Sequence, residues 1–358
     1  MRLERLAIQR FRNLEPLDIL LHPGINLFHG PNASGKTSLL EAVHLLSCGK
    51  SFRSNSLKCA VQEGQSDFTL FARLREGEQA ISLGLALSGR RLQLRADGRP
   101  LHRRSQLAAI MPVITLHQES PRLISEGPRW RRRFLDWGLF HVEPLFHRQW
   151  QRYMRALKQR NRALLQRAGD ADVKAWHGEM TEAGEAIHGM RVRFVKELEG
   201  VFQEYLDQLI PDLKCLSLGY EAGWNAEEGL EESLCRGMGQ DRILGYTRLG
   251  PHRADLVMTV EGVAARERVS RGQQKLLVSA LFLAQAAVYR RRCERRCVLL
   301  VDDVAAELDH DHRERFLELL KALDIQVLLT ATEALDEAGK DLIQKRFHVE
   351  HGRIHGAS

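Results

Sequence analysis

The spacing of hydrophobic positions divides the chain into three stretches. Leu3, Leu6, Ile8 and Phe11 are followed by Ile19-Leu20-Leu21, a Pro23-Gly24 turn and Ile25-Asn26-Leu27-Phe28, which predicts strand, turn and strand over residues 2–30. Ser34 to Leu46 predicts a helix, with Leu39, Leu40, Val43 and Leu46 on one side. Residues 67–102 alternate like antiparallel strands with a turn at Asp97-Gly98, and Val113 to Leu116 predicts one more strand.

From residue 145 the spacing lengthens to threes and fours. Trp150, Tyr153, Leu157 and Leu164 share one stripe over 145–167, which Ala168-Gly169-Asp170 breaks. A second seam runs through Val173, Trp176, Met180, Ala183, Ile187, Met190, Phe194, Leu198, Val201, Tyr205 and Leu209, and Pro211 stops it. A helix of about 39 residues there would be roughly 58 Å long. The two predict an antiparallel helical arm. Strand character returns at Leu216–Tyr220 and Leu256–Val260. A helix from Arg271 to Arg291, a strand at Cys297–Val301, a helix at Asp311–Leu323 and strands at Gln326–Leu329 and Phe347–Glu350 follow. That alternation predicts a mostly parallel, covered sheet. The expected architecture is α/β: a discontinuous lobe of residues 1–125 and 216–358, with a mainly helical lobe inserted at 126–215.

Composition narrows the class. The chain has 358 residues, 44% hydrophobic and 28% charged, with 53 Lys+Arg against 46 Asp+Glu and a formal charge of +7. These values exclude a mostly disordered or collagen-like chain. The charge is uneven: Arg129 to Arg167 holds 11 basic residues against Asp136 and Glu143. Arg148, Arg152, Arg155 and Arg162 recur at helix-face spacing with Lys158 and Arg160 beside them, either a solvated face or a phosphate-neutralising one. Six sparse cysteines indicate a reducing compartment, and no His or Cys set completes a zinc site beside Cys293 and Cys297. The longest apolar run, Leu276 to Val288, is too short to span a bilayer, so a soluble cytoplasmic protein without a membrane role is expected.

Three segments carry chemistry. Gly30-Pro31-Asn32-Ala33-Ser34-Gly35-Lys36-Thr37 fits G-x-x-x-x-G-K-[ST] between a predicted strand and a predicted helix. Its glycines turn backbone N–H groups toward phosphates at a helix N-terminus. Lys36 is expected to reach the β- and γ-phosphates of ATP, Thr37 to ligate Mg2+, and Ser38 to join the binding set. The alternative is a chance Gly-rich turn. The strand Cys297–Val301 ends in Asp302-Asp303, where Asp302 is the expected magnesium-holding carboxylate and Asp303 the expected general base; the alternative is a helix-capping Asp. Third, Ser270-Arg271-Gly272-Gln273-Gln274-Lys275 opens a long apolar helix. It reads either as an N-cap or, about 30 residues before the carboxylates, as something that resembles the signature motif of ABC-type ATPases. In the second reading Ser270, Gly272 and Gln273 touch the γ-phosphate held by another subunit, and ATP joins a homodimer.

Smaller pieces fit that scheme. Ala305–Asp309 stands where such ATPases carry the D-loop. Thr330 or Thr332 replaces their switch histidine as a candidate γ-phosphate sensor. Gln118 is a candidate magnesium-sensing glutamine or a plain surface one, and Arg12 and Asn13 are candidate nucleotide contacts.

Together these residues resemble the RecF family of bacterial recombination and repair ATPases, across essentially the whole chain. The strings that carry the resemblance are Phe11-Arg12-Asn13-Leu14, Gly30–Thr37 with Leu39-Leu40-Glu41-Ala42, Ser51-Phe52-Arg53, and Gly127-Pro128 with Arg131-Arg132-Arg133-Phe134-Leu135-Asp136. Lys158-Gln159-Arg160-Asn161, Gly250-Pro251-His252-Arg253-Ala254-Asp255, Ser270–Lys275 and Asp302-Asp303 with Glu307-Leu308-Asp309 complete them. The resemblance implies an ABC-ATPase head lobe split around an inserted helical lobe. It also implies ATP-dependent dimerisation on double-stranded and single-strand-gapped DNA, slow DNA-dependent hydrolysis, and work with RecR and RecO to help load RecA. Arg131–Arg133 is then either a DNA contact or a brace, and His252 and Arg253 either an interface or packing. Asp303 in place of the usual Glu suggests slow turnover. The competing readings are a transporter's ATPase subunit and a scaffold with a vestigial site.

Overall fold

The computed structural model describes residues 1–213, 215–303, 310–332 and 341–357. The chain forms two compact units, Met1–Ser120 with Lys275–Ser358, and Pro121–Gln274.

The first unit holds two six-stranded sheets. One is antiparallel, in the order β2 (Leu17–Leu20), β1 (Arg2–Gln9), β4 (Asp67–Glu76), β5 (Gln79–Ser88), β6 (Arg91–Ala96), β7 (Arg99–Pro100). Its inward positions alternate as the sequence predicts: Phe68, Leu70, Ala72 and Leu74 of β4 are buried, and Leu83, Leu85 and Leu87 of β5 face with them. The other sheet runs β15 (Arg353–Ala357), β14 (Lys345–Glu350), β3 (Ile25–His29), β13 (Gln326–Ala331), β12 (Val298–Val301), β8 (Val113–Leu116), parallel except for β15. Its central strands are buried without alternation, as a sheet covered on both faces requires. Helix α1 (Lys36–Cys48) contacts β4 and β5 of one sheet and β8 and β13 of the other. It therefore buries Leu39, Leu40, Ala42, Val43, Leu45 and Leu46 all round, more than the one-sided stripe predicts. Each such Leu contributes about 1.5–3 kcal/mol on burial. Helices α2 (Arg104–Ile110) and α11 (His310–Ala322) complete this unit with most of α10 (Arg271–Cys293).

The second unit contains α3 (Arg122–Ser125), α4 (Pro128–Val142), α5 (Phe146–Leu165), α6 (Asp170–Lys174), α7 (His177–Leu209), α8 (Leu230–Leu244), α9 (Ala265–Arg268) and a sheet β11 (Val263–Ala264), β10 (Asp255–Val260), β9 (Leu216–Glu221). Two expectations differ from this. The boundary falls at Gln274 rather than 216, because among the described strands β9–β11 pair only with one another, and they pack on α4 and α7. The 39-residue helix is instead α6 and the 33-residue α7, separated where the chain turns at Ala175 and Trp176 and places buried His177 against Arg160. At 1.5 Å per residue α7 is about 50 Å long. Arg160 lies beside His177 and Arg152 beside Glu179 and Glu182, so α5 and α7 are antiparallel as predicted.

Several basic residues of this unit serve the scaffold. Arg160 is fully buried, with Nη1 donating to Asp241 (2.8 Å) and Thr247 (2.6 Å). Arg131 forms a two-pronged pair with Asp255, and Arg132 donates to the Ala254 carbonyl. His252 is held by Tyr153 (2.7 Å) and the Thr247 carbonyl (3.0 Å), and burial lowers its pKa to about 4. Arg148, Arg155, Lys158 and Arg162 stay exposed. Among the described residues no helix is long and apolar enough to cross a membrane.

Candidate functional site

Parallel pairing decides which residues meet. β3 and β12 flank β13, with Thr330 opposite Phe28 and Leu329 opposite Val301. The carboxyl ends of the three strands thus bring Gly30, Thr330 and Asp302 to one edge of the sheet, where α/β sheets open their crevices. The loop after β3 needs residues that accept unusual backbone. Gly30 has φ 152°, and a Cβ there would lie 2.0 Å from the Val349 carbonyl oxygen; Gly35 has φ 118° and would meet Leu14 at 2.7 Å. Ala33, at φ 61°, carries a left-handed conformation without glycine's freedom. Asn13 steadies it, donating to the Ala33 carbonyl (2.9 Å) while accepting from Ser38 Oγ (2.8 Å).

The loop and strand ends line a cavity of about 1010 Å³. Arg12, Asn13, Asn32–Ser38, Gln118, Asp302, Asp303 and Thr330 all border it, so most of the expected residues of this unit converge. Gly30 and Pro31 contribute through their carbonyls, which accept from Lys36 Nζ at 2.7 and 2.8 Å. Burial lowers the Lys36 pKa, and the Asp303 and Asp302 carboxylates oppose that shift. Thr37 Oγ1 donates to Asp302 Oδ1 at 2.9 Å across 265 residues of sequence. Burial raises the Asp302 pKa, and the hydroxyls of Thr330 and Thr37 hold it back. Thr330 joins both acids: it donates to Asp302 Oδ1 (2.8 Å) and accepts from the Asp303 N–H (2.7 Å). Asp303 itself sits at φ 57°, with Oδ1 buried and unpaired. Hard oxygen donors from Thr37 and Asp302 beside an unpaired buried carboxylate oxygen suit a magnesium ion.

One carboxylate escaped the sequence reading. Glu41, fully buried on α1, receives Arg12 through two bonds (2.9 and 2.7 Å), Arg53 at 3.5 Å and the Ser51 hydroxyl. It thereby fixes Arg12 and Arg53, which both border the cavity. The available signal was that Glu41 is the only acid of α1 and follows the apolar pair Leu39-Leu40 directly. Ser270, Gly272 and Gln273 are not among the lining residues. Ser270 and Gln273 form a reciprocal cap at the start of α10: the Gln273 N–H donates to Ser270 Oγ (3.2 Å), and Gln273 Oε1 accepts from the Ser270 N–H (2.9 Å). Ser270 and Gly272 are exposed. Ala305–Asp309 lie outside the described residues.

A family model described as the RecF/RecN/SMC N terminal domain matches residues 2–354. The DNA replication and repair protein RecF of Chromohalobacter salexigens is 41% identical over 360 residues, 99% of each chain. That of Hydrogenovibrio crunogenus is 37% identical over 359 residues, 98% of each. Among solved structures, the recombination mediator protein RecF-ATP in the RecFOR pathway aligns with TM-score 0.87 at 23% identity, over 100% of this chain and 98% of that one. An Smc head bound to the C-winged helix domain of ScpA aligns at TM-score 0.63 and 15% identity, over 100% of this chain and 98% of that one. At those identities the two structures speak for the fold, an ABC-type ATPase head.

Proposed function

The chain belongs to the RecF family, and on that premise we propose that it is an ATP-gated DNA-binding protein of replication and repair. The observation that carries the reading is the 2.9 Å contact between Thr37 and Asp302, two oxygen donors from opposite ends of the chain beside a buried lysine. In this reading the loop N–H groups and Lys36 hold the ATP phosphates, with Ser34, Ser38, Arg12 and Asn13 around them. Thr37 and Asp302 hold Mg2+, with Gln118 at the mouth. Bound magnesium would supply charge neutralisation for the phosphates. Asp303 takes a proton from the attacking water, and its short side chain gives weak turnover. Thr330 orients the two acids. Ser270 and Gly272, exposed at a helix N-terminus, and half-buried Gln273 beside them complete the site of a second copy, so ATP drives homodimerisation.

The biological role proposed is cytoplasmic. The dimer forms on duplex or single-strand-gapped DNA and works with RecR and RecO to help load RecA. The alternative of a transporter's ATPase subunit lacks support: the match to RecF relatives runs through the helical arm as well as the site.

The test is DNA affinity and dimer fraction with and without ATP, over a salt series, on gapped and fully duplex DNA. Both should rise with ATP, and Lys36→Met should abolish both. Ser270→Arg should keep ATP binding and lose the dimer; a normal ATP-driven dimer in that variant removes Ser270 from the site.

A further inference from the structure

The second unit sorts its charge between two antiparallel helices. α5 carries six Lys or Arg and no acid, whereas α7 carries seven Asp or Glu against three Lys or Arg. Two of the six cations are spent on the scaffold: Arg152 pairs with both Glu179 and Glu182, and Arg160 with Asp241. The other four, Arg148, Arg155, Lys158 and Arg162, are exposed and make no hydrogen bond or ion pair among the described residues. Arg155 acts on Glu179 only at a distance, behind Arg152. At about 100° and 1.5 Å per residue, the four fall within roughly 80° of arc and about 21 Å of helix axis. Away from that arc Tyr153, Ala156, Leu157 and Leu164 are buried, so packing fixes the direction in which the row faces. Like charges three and four residues apart repel, here Arg155 with Lys158 and Lys158 with Arg162. One acid in the row would relieve that repulsion, and α5 has none.

We propose that this outer row of α5 is the surface that follows the phosphate backbone of duplex DNA. Four uncompensated cations in line call for an extended polyanion. A protein partner needs apolar anchors as well. The exposed apolar residues of α5 are only Met154 and Leu165, about 16 Å apart along the axis and so not one anchor. A single strand is held by aromatic rings on which its bases stack. The aromatics of α5 are turned to other work: Phe146 and Tyr153 are buried, and Trp150 is half-buried, stacked between them and covered by the Arg191 guanidinium. The exposed face therefore offers charge without a stacking surface, which is what backbone contact to a duplex requires. Its length matches roughly six base-pair steps at about 3.4 Å each.

The proposal rests on the DNA-binding function proposed above. The experiment measures binding of a blunt duplex, and of oligothymidine of the same length, to the full chain saturated with ATP, by anisotropy over about 50–200 mM salt. One variant combines Arg148→Gln, Arg155→Gln, Lys158→Gln and Arg162→Gln. A second, Arg148→Lys with Arg155→Lys and Arg162→Lys, keeps the charge. A third removes equal charge from the first unit, with Gln at exposed Arg90, Arg91, Arg95 and Arg99. Four phosphate contacts at about 0.9 each contribute about 3.6 to the slope of log affinity against log salt. The first variant should lose that part, so raising salt across the range should cost it about a hundredfold less duplex affinity than it costs the unaltered chain. On oligothymidine its slope should change by less than about 1. The Lys variant should keep the original slopes, because backbone phosphates accept a point charge. Duplex should also block acylation of Lys158, mapped by mass spectrometry. An unchanged duplex slope in the first variant overturns the row and leaves the DNA reading intact. An unaltered chain that binds no duplex overturns the DNA reading and the proposal with it. An equal fall in the third variant assigns the effect to net charge, and an equal fall on oligothymidine to any phosphate chain. Protection of Lys158 by polyglutamate but not by duplex assigns the row to an acidic protein. Each of these three overturns the proposal.

Discussion

Asp241→Asn should destabilise the second unit severely, because it leaves the fully buried Arg160 charge without its carboxylate. The geometry sets the size of the effect. Arg160 and Asp241 are 0% and 1% exposed and meet at 2.8 Å. After the substitution Arg160 keeps only uncharged acceptors, the Thr247 hydroxyl, the His177 ring and the amide oxygen at position 241. Removing one member of a buried pair costs about 3–5 kcal/mol. For a unit of this size each kcal/mol lowers the midpoint by roughly 2–4 °C, so the unfolding transition should fall by about 6–20 °C. Scanning calorimetry on the full chain measures it, with DNA affinity followed in parallel. Replacing both partners, Arg160→Met with Asp241→Leu, should recover most of the loss, since no uncompensated charge remains. A shift below about 2 °C for Asp241→Asn would refute the reasoning. So would a double variant as unstable as the single one. An Arg160→Met protein that keeps its midpoint but loses DNA affinity would return Arg160 to the DNA-facing set.

Three further outcomes are expected. Glu41→Gln keeps the shape of α1 but discharges the anchor of Arg12 and Arg53; ATP affinity should fall about tenfold or more, read with a fluorescent ATP analogue, the worth of one or two charge-assisted bonds. Gly30→Ala places a methyl 2.0 Å from the Val349 carbonyl at φ 152°, so nucleotide binding and thermal midpoint should drop together. Stability should fall as pH drops from about 6.5 towards 4. Burial depresses the folded pKa of His252 to about 4, so the unfolded chain binds the extra proton in that window and folding loses ground. His252→Phe should flatten that slope in equilibrium unfolding at several pH values.

The loop and the carboxylate strand are legible because each has a local signature: a spacing of glycines with Lys36, and an apolar run that stops at Asp302. Their meeting through Thr37 and Asp302 is a property of strand order, which local periodicity does not encode. Glu41 hides for a related reason. Its partners Arg12 and Arg53 come from segments before and after its helix, and only the folded chain shows that a buried acid there is satisfied. The division at Gln274 is illegible because β9 and β10 alternate just as β4 and β5 do; period reports a strand but not which sheet it joins. The basic run from Arg129 reads as one feature in sequence. The fold separates it into paired residues such as Arg131, Arg152 and Arg160 and an exposed remainder at Arg148, Arg155, Lys158 and Arg162.

Thr330 carries a hydroxyl with a single proton, and that proton is already committed to Asp302 while the oxygen receives the Asp303 N–H. Under the proposed function, a phosphate oxygen arriving beside it competes for the same hydrogen. If Thr330 turns toward the phosphate, Asp302 loses a donor and its carboxylate must find another positive partner. The side chain is therefore a changeover contact with two throws. Ligand arrival and the charge demand of Asp302 are joined through one rotatable bond, and Thr330→Val would separate them without altering the shape of the strand.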